Sequence, residues 1–391
     1  MNGGGEETAR EGDDESASPN ADEESGDRGV VDVLTRRRVT IAGTVLVVLG
    51  LLVAVREIDL RTVAAEVSSA DPRLLAAAVA VYALSWPLRG RRYADVLAAM
   101  GHRCGTGVLT LAVFLSQTAN LAIPARAGDT VRAYVVNTQR DVPYTAGFAS
   151  LAVERVFDLA AIAALAGLAT AWLALGGRAG PLEIVAEAGG ARTALLAAAA
   201  VSAATVVVVT SARVDYGQGL AARLRTRVRG RSRIEGPLET ALRFATDVQV
   251  VARQPRALAA IGATSLIVWS LDVLTAVLVL AALGSGLSTG TLLAVGTLAV
   301  SVGNLAKVLP LSQGGVGLYE AAFTALVVGL TPVGASTALA AAIVDHALKN
   351  GVTLVGGAGA VAGLGISLSK ASTEPDSKTR ETGSFLGEPK R

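Results

Sequence analysis

Long runs of apolar residues alternate along the chain with short polar segments. Two of them, 39–55 and 105–125, span 17 and 21 residues without a charge. Apolar runs of about 18 residues or more are typical of transmembrane helices. Further helices are predicted at about 74–88, 143–175, 193–212, 257–283, 289–309, 318–331 and 335–368, and a short segment at 129–142 is predicted to form a hairpin with 105–125. The pattern therefore predicts an all-α fold, a polytopic transmembrane helix bundle.

Proline and glycine interrupt this pattern at two places. The first break is "PARAGD" (124–129), and the second break is "PLSQGGVG" (310–317). Each lies between an apolar segment and a shorter one, which predicts two broken or re-entrant hairpins. The residues expected to make the breaks are Pro124, Gly128, Pro310, Gly314, Gly315 and Gly317.

The two hairpins and the helices after them follow the same order. Asp129 matches Glu320 at an offset of 191 residues, and the register continues without gaps. It pairs Glu154 with Asp345, Arg155 with His346, and Asp158 with Lys349. In the predicted topology one unit starts inside and the other outside, which makes two inverted repeats. Broken helices in two inverted halves are a pointer to the substrate site of a transporter.

Arginine-rich segments set the predicted orientation. "RRR" (36–38) precedes the first apolar run, and the loop 211–257 holds ten arginines against four acidic residues. By the positive-inside rule both lie in the cytoplasm, as does "RGRR" (89–92) after helix 74–88, so we expect a multi-pass protein of the cell membrane with both termini cytoplasmic. The loop is expected to contact the anionic inner leaflet, with an interfacial helix at 238–254.

Composition adds the remaining domain predictions. The chain has a net charge of +2, but residues 1–29 hold ten acidic residues against two arginines. We predict a disordered acidic cytoplasmic tail over 1–29, a transmembrane domain over 30–368 and a disordered cytoplasmic tail over 369–391. One cysteine and two histidines form no metal-binding spacing, so no metal, no cofactor and no nucleic-acid partner are predicted.

Charged residues inside the predicted helices form the candidate site. A charge at the bilayer centre costs about 2.5–3.5 kcal/mol on insertion scales, so it needs a partner or a polar cavity. Glu154 and Asp158 share one helix face. The alternative is that such charges form structural ion pairs or reach the membrane interface. The candidate headgroup groove comprises Arg126, Asp129, Arg132, Glu154, Arg155, Asp158, Asp272, Lys307, Glu320 and Asp345.

Two motifs carry a family resemblance. "P-x-R-x-G-[DE]-x-x-R" followed by "E-R-x-x-D" is met by Pro124, Arg126, Gly128, Asp129, Arg132, Glu154, Arg155 and Asp158. "G-G-x-G-x-x-E" is met by Gly314, Gly315, Gly317 and Glu320. Over about 30–368 the chain resembles the transmembrane region of lysylphosphatidylglycerol synthases, a family of flippase-like membrane proteins. That family usually carries an arginine at the position of His346.

The resemblance implies a membrane protein that moves, or helps to move, a lipid with a charged or sugar headgroup between leaflets. No aminoacyl transferase or glycosyltransferase is seen around the membrane part, so we expect that the chain is not an enzyme. Arg126, Arg132 and Arg155 would attract a phosphate. One alternative is a non-transporting membrane partner or regulator of a lipid- or glycan-modifying enzyme. Another is an intramembrane enzyme acting on a lipid phosphate.

Overall fold

The computed structural model describes residues 60–123, 128–175, 223, 226–227, 232–307 and 313–364. These residues form helices and short connections, and no strand occurs among them. Several predictions lie outside the described residues, namely the helices 39–55 and 193–212, both terminal tails, Pro124, Arg126 and Pro310.

The helices are numbered here in chain order. The first five are α1 Leu60–Ser69, α2 Pro72–Ala99, α3 Thr106–Ala122, α4 Gly128–Arg140 and α5 Tyr144–Leu175. The others are α6 Ser232–Ala252, α7 Pro255–Ala282, α8 Thr289–Ala306, α9 Leu318–Leu330 and α10 Ala335–Leu364, with a 3₁₀ turn at Gln313–Gly315 between α8 and α9.

Several of these helices are long and apolar enough to cross a bilayer. In the described part of the chain α5, α7, α8 and α10 qualify alone, and α1 with α2 forms a fifth candidate bent by 82°. The apolar helices α3 and α9 are shorter than a span. The prediction of an all-α membrane protein with several transmembrane helices is thereby confirmed.

The described helices include two units of four helices, and the helix lengths follow nearly the same order in both units. In the first unit, α2 to α5 have 28, 17, 13 and 32 residues. In the second unit, α7 to α10 have 28, 18, 13 and 30 residues. Both 28-residue helices begin at a proline, which is favoured at the first helical position. The repeat predicted from the hairpins thus extends to the preceding helix, and its inversion stays a prediction.

Packing between the units is reciprocal. Helix α2 lies along α7, α3 packs against α10, and α8 packs against α5. Each hairpin therefore rests on the long helix of the other unit. Small residues permit the close approach of α3 and α10, since a Cβ on Gly357 would lie 2.0 Å from Thr118 Oγ1. One apolar core includes Trp86, Leu109 and Val135 of the first unit, and the other is centred on the second unit.

Helix α2 differs from its predicted extent. The sequence interpretation ended this helix near 88 and placed "RGRR" (89–92) in a cytoplasmic flank. The helix instead continues to Ala99, and Arg92 is only 3% exposed. Arg89 and Arg92 can lie within the bundle because carboxylates of other helices compensate them, as described below. Apolar residues Val96 and Leu97 after the arginines are fully buried and hold this extension against the core.

A helix, α6, occupies the region for which an interfacial helix is predicted. It runs over Ser232–Ala252 rather than 238–254, and Pro255 begins the next helix. It packs against α5, with Val251 fully buried, while the side chain of Arg243 is 69% exposed. A helix with one buried apolar edge and exposed arginines matches the character expected of an interfacial helix.

Candidate functional site

Six charged residues form the first ion cluster: Arg92, Asp129, Arg132, Glu154, Arg155 and Asp158. At its centre, Glu154 of α5 accepts hydrogen bonds from both terminal nitrogens of Arg132, with Arg132 Nη1 at 3.2 Å from Glu154 Oε2. Arg92 of α2 donates to the same Oε2 at 3.2 Å. The guanidinium of Arg132 also lies 3.7 Å from the ring centroid of Tyr93, a cation–π contact. Glu154 is therefore fully engaged.

Asp158 lies one helical turn after Glu154 and binds residues of both units. Its Oδ1 accepts hydrogen bonds from Arg92 Nη1 at 2.5 Å and from Trp269 Nε1 of α7 at 2.9 Å. Arg92 Nη1 also donates to Ser265 Oγ of α7 at 2.9 Å. This geometry explains why two carboxylates can share one face of α5, since Arg92 lies between them.

Asp129 connects the first break to this cluster. It lies in the first turn of α4, directly after the break, where a carboxylate is favoured by the helix N-terminus. Ser116 and Asn120 of α3 donate to its Oδ1 at 3.2 and 3.0 Å. Arg155 Nη2 lies 3.4 Å from its Oδ2, and Arg155 Nη1 lies 3.5 Å from Asp158 Oδ2. Arg155 thus ties the hairpin to α5.

Six charged residues of the second unit and α2 form the second ion cluster: Arg89, Asp272, Lys307, Glu320, Asp345 and Lys349. The ammonium of Lys349 bridges two carboxylates, at 2.9 Å from Asp345 Oδ2 and 3.2 Å from Asp272 Oδ2. Arg89 Nη2 lies 4.0 Å from the other oxygen of Asp272. Asp272, which stands in the middle of an apolar helix, is therefore charge-paired.

Tyr319 lies between the members of the second ion cluster. Its hydroxyl donates to Asp345 Oδ2 at 2.5 Å. The ammonium of Lys307, directly after the end of α8, lies 4.1 Å from the centroid of the Tyr319 ring. In the described part of the chain Lys307 forms no ion pair. Its charge is thus stabilised by an aromatic face and by the C-terminus of α8.

Glu320 occupies the position after the second break that Asp129 occupies after the first. It lies in the first turn of α9, and its Oε2 accepts the backbone N–H of Gly317 at 2.6 Å. Its Oε1 lies 2.6 Å from His346 Nδ1. Gly314, Gly315 and Gly317 have φ of 63°, 76° and 85°, which side chains with a Cβ adopt only with strain.

The two breaks are adjacent in space. A Cβ on Gly314 would lie 3.3 Å from Leu121 Cδ2, close to the end of α3 and the first break. A Cβ on Gly128 would lie 2.5 Å from the Ser116 carbonyl oxygen, and one on Gly315 would lie 2.3 Å from Lys307 Cγ. The glycines therefore let each hairpin close tightly and let the two hairpins meet.

Each ion cluster is balanced in charge, but its members differ in solvent exposure. Within each set of six, three cationic side chains face three carboxylates. Arg132 and Glu154 expose 2% and 6% of their side chains, whereas Arg155 exposes 36%. Lys307 is also partly exposed. The most accessible positive charges thus flank the breaks, while the inner ones are compensated.

Sequence reasoning found part of this arrangement. Nine of the ten candidate groove residues are described, and they divide between the two clusters, five in the first cluster and four in the second. Arg126 is the tenth and lies outside the described residues. Five participants were missed as site residues: Arg89, Arg92, Lys349, Trp269 and Tyr319. In the sequence these residues appear only as polar or aromatic positions within helices that continue on both sides, which is a weak indication of a site.

Comparisons with known proteins agree with this organisation. The family described as "Lysylphosphatidylglycerol synthase TM region" matches residues 40–357. The chain is also similar to the glycosyltransferase AglD of Haloferax volcanii, with 45% identity over 360 residues. That match covers 87% of the chain and 57% of the relative, so the chain spans little more than half of the relative's length. The protein thus belongs to the lysylphosphatidylglycerol synthase transmembrane-region family, as its two motifs indicated.

Proposed function

We propose that the protein moves a lipid with a phosphate-bearing or sugar-linked headgroup between the leaflets of a membrane. The headgroup would pass where the two breaks meet. The observation that carries the proposal is the pair of partly exposed cations beside the breaks, Arg155 and Lys307, whereas the more deeply buried cations of the two clusters are held in ion pairs. Membership of a family associated with lipids, and a relative named as a glycosyltransferase, support a substrate in a lipid or glycan pathway.

The contacts assign different roles to the arginines in this proposal. Arg132 is committed to Glu154 through two hydrogen bonds, so it holds the hairpin against α5 rather than meeting a headgroup. Arg155 makes only long contacts, at 3.4 and 3.5 Å, and is partly exposed. A phosphate oxygen could therefore replace a carboxylate at Arg155 at little cost, because charge-assisted hydrogen bonds to phosphate are strong.

Lys307 would provide the second contact. Its ammonium lies over the Tyr319 ring, and its aliphatic stem lies against Gly315, where an added Cβ would be 2.3 Å from Lys307 Cγ. Arg155 and Lys307 lie next to different breaks, so a headgroup could pass from one to the other. We propose that Asp129 and Glu320 act as the competing anions, because each lies in the first helical turn after its break.

The test is leaflet-resolved lipid movement in liposomes that hold the purified full chain. The panel comprises phospholipids with different headgroups and polyprenyl-phosphate sugars. We expect movement of one lipid class, slowed by roughly tenfold in Arg155→Ala and in Lys307→Ala, which corresponds to one lost charge-assisted contact. The matched control is Arg243→Ala on α6, which should move lipid at the parental rate. Parental rates in an Arg155→Ala/Lys307→Ala double variant that stays folded would refute the proposal.

A second candidate function is a membrane partner for a lipid- or glycan-modifying enzyme, in which the chain itself transports nothing and is not catalytic. It is favoured by the similarity to a protein named as a glycosyltransferase. The exposed arginines of α6 and its surroundings would be the docking surface, such as Arg243 and Arg256. Under this candidate, Arg243→Glu with Arg256→Glu abolishes function in cells, whereas Arg155→Ala leaves it unchanged. The opposite pattern favours transport.

A further inference from the structure

The histidine at 346 forms a buried pair with Glu320 that the transport proposal does not use. His346 is 2% exposed, and its Nδ1 lies 2.6 Å from Glu320 Oε1. Its other ring nitrogen, Nε2, is buried and has no hydrogen-bond partner among the described residues. Histidine is the side chain whose charge ordinarily changes near neutral pH. An unpartnered imidazole nitrogen beside a carboxylate is therefore a position where a proton can be gained and lost.

The first unit has a counterpart of this pair that cannot titrate. Arg155 and Asp129 are 26 residues apart in the chain, as are His346 and Glu320. In both units the acid lies in the first turn after a break, and the base lies on the long helix that follows. Arginine keeps its charge at every physiological pH, whereas histidine does not. The contact between the long helix and the hairpin is therefore an ion pair at every physiological pH in the first unit, whereas in the second unit it is an ion pair only when His346 is protonated.

Glu320 connects this pair to the second break. One of its oxygens faces His346, and the other accepts the N–H of Gly317 at 2.6 Å. Gly317 ends the turn whose three glycines have positive φ. A change of charge at His346 therefore alters the attraction on a carboxylate that fixes the first turn of α9.

The charges around His346 are otherwise balanced. From α9 it faces Glu320 and the Tyr319 ring, whose centroid is 4.9 Å from that of the imidazole. Beyond Tyr319 lie Lys307 after α8 and Asp345 and Lys349 on α10, and Lys349 is paired with Asp272 of α7. The three cations and three carboxylates of the second ion cluster cancel. One proton on His346 therefore gives this cluster a net positive charge.

We propose that His346 and Glu320 form a proton-binding site that couples proton uptake to the second hairpin. The inference rests on the proposed transport function for its consequence but not for the site itself. The proton adds to Nε2, and Nδ1–H continues to donate to Glu320, so no other bond forms or breaks. The protonated pair is an ion pair that holds the turn against α10. Loss of the proton weakens this link and frees the hairpin to move.

The site is tested first without any lipid transport. The chain has only two histidines, so His102→Gln leaves His346 as the single imidazole. The full-length variant in lipid nanodiscs, labelled with ¹⁵N-histidine, is followed by NMR between about pH 5 and 9. We expect one imidazole that changes from one to two protonated nitrogens, with a midpoint that shifts in Glu320→Gln. A single protonation state over that range would overturn the proposal.

Coupling is tested in liposomes made with each lipid of the same panel. In the His102→Gln parent we expect the rate of movement to change at least about fivefold between pH 5.5 and 8.5, and in His346→Arg to change less than about twofold. The rate of lipid movement in His346→Gln should also be independent of pH, so the test remains valid if the protein does not tolerate arginine at position 346. A titrating His346 with unchanged pH profiles in both variants would overturn coupling. Absence of movement at every pH would instead refute the transport function, while NMR still decides the proton site.

Discussion

The two ion clusters occupy equivalent places in the two units but differ in chemistry. The first is built from three arginines, two of which are almost completely buried and make several hydrogen bonds each. The second has only one arginine, Arg89, which lies 4.0 Å from Asp272, and otherwise uses two lysines, with Tyr319 bound to Asp345 and His346 bound to Glu320. Arginine forks fix carboxylates in defined geometry, whereas a lysine ammonium is a point charge that can exchange partners. The comparison indicates one unit that holds its shape and one that can rearrange.

The difference also affects the hairpins. The Asp129 carboxylate is held by Ser116 and Asn120 of its own hairpin as well as by Arg155. Glu320 is held by Gly317 and His346. The first hairpin thus has more side-chain links across its two helices at this point, and the second depends on a link to α10. We infer that the second hairpin is the more mobile of the two.

The largest effect is expected for Arg92→Met. Removing this guanidinium leaves Asp158 without its main cationic partner in a nearly water-free environment. Breaking a buried ion pair in this way costs about 3–5 kcal/mol. We expect a large loss of folded protein, measured as the midpoint of unfolding in mixed detergent micelles.

The matched control is the neighbouring residue, Arg91→Met. Arg91 is exposed and pairs with Asp95 one turn away, a contact worth only about 0.3–0.5 kcal/mol. Equal losses for both variants would contradict the role assigned to Arg92.

A smaller effect is expected for Asp272→Asn in the second ion cluster. Lys349 keeps Asp345 at 2.9 Å after this substitution, so its charge stays paired. We expect a cost of about 1–3 kcal/mol, the range for a buried polar group that loses part of its hydrogen bonding. The same unfolding measurement should place it clearly below Arg92→Met. A loss as large as that of Arg92→Met would show that the second unit is as rigidly constrained as the first.

Substitutions at the two breaks, Gly128→Ala and Gly315→Ala, should reduce stability by amounts similar to that of Asp272→Asn. A Cβ at Gly128 meets a backbone carbonyl oxygen that cannot move alone, while a Cβ at Gly315 meets the flexible side chain of Lys307 but has a strained φ. We expect Gly128→Ala to cost roughly 1–3 kcal/mol of stability, as overpacking does. Gly315→Ala should cost about 1 kcal/mol.

The readout for these two variants is the midpoint of thermal unfolding together with lipid movement. Gly329→Ala serves as the control, because no atom lies within 4 Å of its Cβ position. Normal lipid movement in Gly315→Ala with a displaced Lys307 would count against the role proposed for that lysine.

The smallest effect on stability is expected for Arg155→His, which gives the first unit the titratable pair of the second. Arg155 is partly exposed and makes long contacts, so the change in stability should stay within about 1 kcal/mol. Lipid movement should gain a second dependence on pH, since histidine loses its charge near neutral pH. The rate of lipid movement is measured as a function of pH in this variant and in the parent protein. An unchanged profile would show that the charge at 155 has no influence on transport.

Hydrophobic pattern alone placed most of the described helices. The predicted segments 105–125, 129–142, 257–283 and 318–331 correspond to α3, α4, α7 and α9 within a few residues. Proline and glycine marked both breaks, because those residues end helices for local reasons. The register between the units was likewise visible, since it depends only on spacing along the chain.

Charge pairing could not be predicted in the same way. Arg89 and Arg92 follow an apolar run and a proline, and this composition is that of a segment at the membrane surface. Their burial depends on Glu154, Asp158 and Asp272, which are distant in the chain. The preference of an arginine for the interior is decided by such partners and not by its neighbours in sequence. The aromatic residues Trp269 and Tyr319 were missed for the same reason.

The placement of Arg92 has a consequence for biosynthesis. The carboxylates that compensate it, Glu154 and Asp158, follow it by 62 and 66 residues. At 5–20 residues per second these partners are synthesised about 3–12 s later. During that interval α2 carries unpaired arginines that resist transfer into lipid. We therefore expect helix α2 to wait at the insertion machinery or the membrane surface until α5 emerges, so that the two helices enter the bilayer together and not one by one.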